Sequence, residues 1–501
     1  MESRGLQAAP EKERALHPTE HMAEPSAPSR RLPDSRLEAL RAKYGEPRVE
    51  LWGPSLGPGR KFLGGAFTID GSALLGVPSH ADAVLRLDLH TGAVSKLPGQ
   101  RITGKFKWLR GVRAADGSVY CIPACGDGVL RISADQSQVH VLGRGDPMFA
   151  GTWMWHGGQL GSDGNIYAIP ANAERVLKIE PATQTVTTIG PALQVGVKNK
   201  WYGGIMGEDG SIWGMPYNAS TLLKIVPATG EVREVGSFPL GGWKWHGGTR
   251  SGPFIVGIPS HAESVLIIDP RTEEYRLLGE GFVGRYKWGG AQTDADGMVW
   301  AIPSDVDYCL RIDPFRHEVE RIGPIPPIGA ERNRWQGGVH CKADGRIYCI
   351  PCDAERVLVI DPKRRALSLL GELPTSMHKF QGAATAADGT IWALPEAADR
   401  VLRITPSVRP PKGVSALSGA AGMQVAEVPT VTNVCHGQSD TMPARLPGAA
   451  GGAYAHAQLL PHEMSAGGAA SIDVMGTTAA AGEDDGPSLP EKRRRRGNRG
   501  K

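Results

Sequence analysis

Between residues 48 and 406 the apolar positions come in short runs of four to six. Val176-Leu177-Lys178-Ile179 and Val357-Leu358-Val359-Ile360 are two of them. Turn residues bound each run: Asp163-Gly164 or Asp209-Gly210 before one kind, Glu180-Pro181 or Asp269-Pro270 after another. No segment between them carries helical periodicity. Short apolar runs punctuated by Asp-Gly and Asp-Pro read as antiparallel strands joined by tight turns.

The runs repeat in one frame. An aromatic anchor, usually followed within two residues by a Gly pair, recurs at Phe62, Trp108, Trp155, Trp201, Trp245, Trp288, Trp335 and Phe380. A proline ending the second run recurs at Pro78, Pro123, Pro170, Pro216, Pro259, Pro303, Pro351 and Pro395, and the spacing stays between 43 and 48 residues. Each unit holds four short strands: one after the anchor, one ending at the proline, a Val-Leu-x-Ile strand, and one ending near Ile-Gly. Four antiparallel strands per unit of ~45 residues is the β-propeller blade, so the sequence predicts an all-β, eight-bladed β-propeller over residues 48–406. The eighth unit runs from Val401–Ile404 into Pro406, Pro410 and Pro411 without a fourth strand. Arg48-Val49-Glu50-Leu51-Trp52 has that strand's pattern and is expected to supply it, closing the ring from the N-terminus and leaving no open edge.

Composition sets the limits of the fold. All 12 Trp lie between Trp52 and Trp392, and all 9 Phe between Phe62 and Phe380. Residues 1–34 have no aromatic side chain, and 407–501 have one, Tyr454. Neither end carries enough apolar surface to offset ordering entropy, so both are expected to be disordered. Residues 35–47 read as a short helix leading in, with Leu37, Leu40 and Tyr44 on one face. A formal charge of +4 excludes a polyanion-binding body. The absence of an apolar leader and of any long apolar run points to a cytoplasmic or nuclear protein with no membrane partner, expected to be monomeric. Seven scattered cysteines do not describe a disulfide framework. Lys492, Arg493, Arg494, Arg495 and Arg496 form a basic cluster that reads as a nuclear-import segment, or as a contact for nucleic acid or an acidic partner.

The Asp-Gly-x-Ile-Tyr/Trp and Val-Leu-x-Ile-Asp-Pro elements resemble propellers of the virginiamycin B lyase and gluconolactonase/strictosidine-synthase type. The resemblance implies propeller geometry and admits a lactonase-like or lyase-like site on one face. Those relatives have six or seven blades, against eight units here. No Trp-Asp dipeptide marks WD repeats, and the Tyr and Trp that follow the diglycine in kelch repeats are not placed that way.

In this geometry the residues around the anchor and those after the proline share one mouth of the central channel. Before the anchor stand seven cations and Met154; four residues after the proline stand seven acids and Ser220. Pairing each cation with the next blade's acid leaves no orphan charge. It predicts a structural ring of Lys61–Asp127, Lys107–Glu174, Lys200–Glu263, Lys244–Asp307, Lys287–Glu355, Arg334–Asp399 and, across the closure, Lys379–Asp82, with Met154 facing Ser220. The candidate ligand-binding residues lie in units three to five: Trp153, His156, Tyr202, Tyr217, Trp243 and His246, aromatic and imidazole groups on one rim.

No nucleophile, base and orienter recur together, so no catalytic residue is assigned. His80 and His261 belong to opposite units, and no carboxylate shares the frame position of His156 and His246, so neither a metal nor a cofactor is expected. Cys349-Ile-Pro-Cys352 lies in a strand and its exit turn, with Cys349 in a slot that takes small residues. The reading is a non-catalytic scaffold that binds an unidentified protein or small molecule at the channel mouth. A lactonase-like hydrolase or a lyase is the alternative.

Overall fold

The structure, a computed structural model, describes residues 47–99 and 101–406. The expected disordered ends, almost all of the expected helix and the basic cluster lie outside these residues.

Eight four-stranded antiparallel sheets follow one another along the chain. The third blade serves as the type: Trp155–Leu160, Ile166–Pro170, Val176–Glu180 and Thr185–Ile189, paired in that order. Its second strand is buried along its whole length, and its fourth is half exposed. The inner strands lie between neighbouring blades and must be apolar on both faces, which is why their sequences do not alternate. Among the described residues the one helical element is a 3₁₀ turn, Pro147–Phe149, and no helix is long and apolar enough to cross a membrane.

The core is divided into eight slabs, one per blade boundary. Each seats the anchor aromatic of one blade against the preceding blade's strands: Trp108 on Leu75 and Val77, Trp155 on Tyr120 and Ile122, Trp335 on Trp300 and Ile302. The indole N–H groups are satisfied within their own blade. Trp108, Trp155 and Trp335 donate to the carbonyls of Gly128, Arg175 and Arg356, at 2.8, 3.0 and 2.8 Å. The glycines after the anchor have a steric reason. Gly157 has φ of 82°, and a Cβ there would collide with the Gly203 carbonyl of the next blade. The first strand bulges at this point, between Trp155 and Gly158.

Closure occurs as the pattern predicts. Arg48–Trp52 pairs antiparallel with Val401–Thr405, in register from Arg48 opposite Thr405 to Trp52 opposite Val401. The Trp52 ring meets Trp392 edge-on at 6.1 Å and lies under the Arg403 guanidinium at 4.4 Å.

A second seam joins the blades at the mouth. The backbone N–H of the residue before each anchor donates to the carbonyl of the residue after the preceding blade's proline. Lys107, Met154, Lys200, Lys244, Lys287, Arg334 and Lys379 reach Ser79, Ala124, Ala171, Tyr217, Ser260, Ser304 and Cys352, and Lys61 reaches Glu396 across the closure at 2.6 Å.

This seam corrects the expected ion-pair ring. None of the seven predicted pairs, Lys61–Asp127, Lys107–Glu174, Lys200–Glu263, Lys244–Asp307, Lys287–Glu355, Arg334–Asp399 or Lys379–Asp82, forms among the described residues. The six lysines are buried, Arg334 is half-buried, and all donate to backbone carbonyls. Lys107 Nζ reaches Ser79, Ala81 and Gly104 at 3.0, 3.1 and 2.9 Å, and Lys200 Nζ reaches Ala173 at 2.7 Å. Lys287 bonds Ser260 and Gly284, Arg334 bonds Ser304, Lys379 bonds Ser376, and Lys61 bonds Gly57 and Gly59. Meanwhile the acids face solvent and take other partners: Asp82 takes Lys96, Asp127 takes Arg144, and Asp399 takes Ser55.

Even the weak long-range attraction runs the other way round the ring. Lys107 senses Asp82, Lys200 senses Glu174 and Lys287 senses Glu263, each in the blade before it. In this register Lys244 is the cation that meets Ser220's blade, and it gathers four carbonyls, those of Tyr217, Ala219, Pro239 and Gly241. Burial lowers the ammonium pKa of Lys107, Lys200, Lys244 and Lys287 to about 8. The physical reason is one of distance: turn carbonyls line the site where the ammonium is buried, while the carboxylates stand out in water.

Two expected outcomes follow from these joints. Deleting residues 1–34 leaves the melting temperature unchanged, whereas deleting 1–56 removes the closing strand and lowers stability by more than about 3 kcal/mol, read by denaturant unfolding. Lys200→Met, which strips donors from buried carbonyls, costs about 1–3 kcal/mol. Glu263→Gln, at an exposed acid, stays within about 0.5 kcal/mol. Equal effects of those two substitutions would return the role to an ion pair.

Candidate functional site at the channel mouth

Two residues before seven of the eight anchors, the chain takes the same unusual turn. Phe106, Trp153, Asn199, Trp243, Tyr286, Asn333 and His378 all have φ between 49° and 56°, in the left-handed region. Arg60 holds the equivalent place in the first blade. Side chains with a Cβ adopt this conformation at a cost of roughly 1–2 kcal/mol each. Two hydrogen bonds offset it. The carbonyl of each of the seven accepts from the N–H two residues past its own blade's proline, as in Asn172 to Trp153 and His261 to Trp243, at 3.0 and 3.1 Å. In four cases a side chain from the preceding blade also accepts the rim residue's N–H: Asn172 for Asn199, Asn218 for Trp243, Asp305 for Asn333 and Asp353 for His378, at 2.8, 3.0, 2.7 and 2.6 Å. The result is a fixed rim of side chains around one mouth.

On one side the rim is aromatic. The structure brings five of the six sequence-predicted ligand residues into one stack. His156 lies parallel to Tyr202 with ring centroids 3.9 Å apart, and Tyr202 to Tyr217 at 4.3 Å. His246 meets Tyr202 and Tyr217 edge-on at 5.0 and 5.3 Å, and Trp243 lies 5.2 Å from Tyr217. Trp153 packs on Phe106 at 4.8 Å, and Phe106 on His80 at 4.3 Å. His156, Tyr202, Tyr217 and His246 are buried and make a floor, whereas Trp153 and Trp243 are half-buried and stand on the rim. Sequence reasoning passed over Phe106 and Tyr286. Tyr286 is 38% exposed and extends the aromatic side past His261, at 4.5 Å. Aligning the residue two before each anchor would have found both.

The other side, formed by blades seven, eight and one, is polar. Cys352 and Glu396 each follow a blade proline, and His378 is the rim residue of the eighth blade. Donor atoms of these three groups lie within 4.8 Å of one another. Cys352 Sγ is 4.0 Å from His378 Nδ1. Asn333 Nδ2 donates to Cys352 Sγ at 3.5 Å and approaches His378 Nδ1 at 3.4 Å. Glu396 accepts from Gln381 and meets the Arg60 guanidinium at 3.4 Å. Burial pushes the Glu396 carboxyl up to about 8, with Arg60 opposing. Between the two sides Arg110 occupies the place that other blades give to the bulge glycine. Its guanidinium is buried in the channel, and burial lowers its pKa to about 10.

A cavity of about 560 Å³ opens on the far face, lined by Asp294, Asp313, Arg311, Phe315 and Arg365. Acids and cations alternate there without converging, so the mouth remains the candidate site.

Burial lowers the pKa of His80, His246 and His261 to about 4. The unfolded chain therefore binds more protons between pH 6.5 and 4, and stability is lost as pH falls through that window. Glu396, raised in the fold, works in the opposite sense between about 4.5 and 8. His246→Phe is expected to flatten the acid loss by up to about 1.4 kcal/mol per pH unit. Urea unfolding at pH 6.5, 5.5 and 4.5 measures it, and an unchanged slope would show that His246 is not held neutral.

Residues 110–249 match the model of a repeat family of unknown function, DUF6923. No curated protein matches the sequence. Among solved structures the chain is similar to a streptogramin B lyase, with 15% identity, TM-score 0.47, and 72% of this chain and 98% of that one covered. It is similar to a virginiamycin B lyase from Staphylococcus aureus, with 14% identity, TM-score 0.47, and 72% and 99% covered. It is also similar to a protein of unknown function from Bacteroides thetaiotaomicron, with 14% identity, TM-score 0.40, and 72% and 75% covered.

Proposed function

We propose that this protein is a binding propeller without catalytic activity, which holds a planar or cationic group of a small molecule or peptide against the aromatic side of its channel mouth. The observation that carries this reading is the left-handed rim. Phe106, Trp153, Trp243 and Tyr286 are kept in a costly backbone conformation in neighbouring or near-neighbouring blades, and each is left partly open to solvent. Backbone strain of this kind collects where side chains are presented to a ligand. Partly exposed aromatic faces above a packed aromatic floor take up flat rings by stacking and cations by attraction to the ring face.

A panel of planar aromatic amines, quaternary ammonium compounds and short Arg- or Trp-containing peptides tests this by calorimetry and intrinsic tryptophan fluorescence. At least one class is expected to bind, and Trp243→Ala or Tyr286→Ala is expected to weaken it at least tenfold, equivalent to about 1.4 kcal/mol. Leu277→Ser, at an exposed position on a fourth strand, should leave it unchanged. Binding that ignores the rim variants, or no binding by any class, would sink the proposal. Turnover of a lactone would establish the hydrolase alternative, and turnover of virginiamycin B the lyase alternative.

A further inference from the structure

We propose that Cys352, His378 and Glu396 form a binding site for a zinc-class divalent cation at the channel mouth. Their donor atoms lie within 4.8 Å of one another. A thiolate, an imidazole and a carboxylate are a donor set suited to zinc, and three protein ligands with a fourth position for water or ligand is the arrangement of an open zinc site. Each donor sits on a framework that limits its freedom. Cys352 and Glu396 occupy the seam position, where the carbonyl is already bonded to the next blade, and both side chains are buried. His378 is pinned through its N–H by Asp353.

The surroundings supply outer-shell partners. Asn333 orients the sulfur and the ring, Gln381 and Arg60 hold the carboxylate, and the nearby Lys379 ammonium is already bonded to Ser376. Tetrahedral zinc, with ligand bonds of about 2.0–2.3 Å, needs donors about 3.3–3.6 Å apart, so closing the site brings them together by up to about 1.5 Å through side-chain rotation. The thiol proton of Cys352 leaves to solvent as the thiolate binds, Glu396 binds as the carboxylate, and His378 binds as the neutral ring.

The sequence concealed this site because the donors are 26 and 18 residues apart and belong to three different turns. The expectation of no metal weighed only His80, His261, His156 and His246, and it passed over the turns of neighbouring blades that the ring brings together. The inference is independent of the aromatic rim.

The experiment is a Co²⁺ titration of the full chain, followed by zinc competition. The expected result is one cobalt per chain, visible bands of a tetrahedral centre and a thiolate-to-cobalt charge-transfer band, all displaced by zinc. The repeat itself supplies folding-neutral variants, since other blades carry Ala, Asn and Ser at the three positions: Ala124 and Ala171, Asn199 and Asn333, Ser79 and Ser260. Cys352→Ala should abolish the charge-transfer band, and His378→Asn and Glu396→Ser should each weaken binding by more than about 10-fold, the lower bound for losing even an outer-shell partner. Cys125→Ser, at a half-buried thiol elsewhere on the mouth, should change nothing. Absence of cobalt binding, or a charge-transfer band that survives Cys352→Ala in a folded variant, would overturn the proposal.

Discussion

One hydrogen bond repeated eight times holds the rest in place. The N–H before each anchor aromatic meets the carbonyl after the preceding blade's proline, and the eighth copy, Lys61 to Glu396, crosses the closure. Because both groups are backbone, the bond does not depend on the side chain, and it persists at Met154, where the cation is missing. The buried lysines add a second layer. Turn carbonyls pointing into a low-dielectric site need donors, and an ammonium supplies up to three. Desolvation is the cost, seen in the lowered pKa values, and it is met by carbonyl dipoles rather than by carboxylates.

This seam explains the strained rim. With the next residue tied to the neighbouring blade and the residue past the proline tied back, the position between them has one available backbone conformation. The conformation is a product of the framework, so any side chain can be placed there. Among the seven blades that adopt it, two carry Asn, one carries His, and four carry aromatics. A ring of fixed backbone with free choice of side chain is a suitable base for recognition. Here it divides into an aromatic side and a polar side, and the buried Arg110 stands in the channel they share.

The fold was legible from the chain alone because a propeller states its rule eight times. Any one unit is ambiguous, but the anchor, the Asp-Gly turn and the proline in register leave little freedom, and Arg48–Trp52 could be assigned to the last blade from its pattern alone. The aromatic cluster was legible too, since Trp153, His156, Tyr202, Tyr217, Trp243 and His246 occupy frame positions that a propeller must bring to one mouth.

The charged ring was legible as a set of positions but not as a set of contacts. Charge counting offered two registers and favoured the one without orphans. It took no account of turn carbonyls, which no sequence pattern displays, or of the difference in burial between Lys107 and Asp82. The left-handed rim was hidden for a related reason: a φ angle enforced by a neighbouring blade leaves no mark on the residue that adopts it. Cys352, His378 and Glu396 are far apart in every local sense and meet because the seventh and eighth blades are adjacent. Sequence by itself determined what repeats, since periodic burial leaves a periodic pattern. Tertiary structure alone decided what meets across a blade boundary, since those contacts depend on distance and desolvation between turns that share no local pattern.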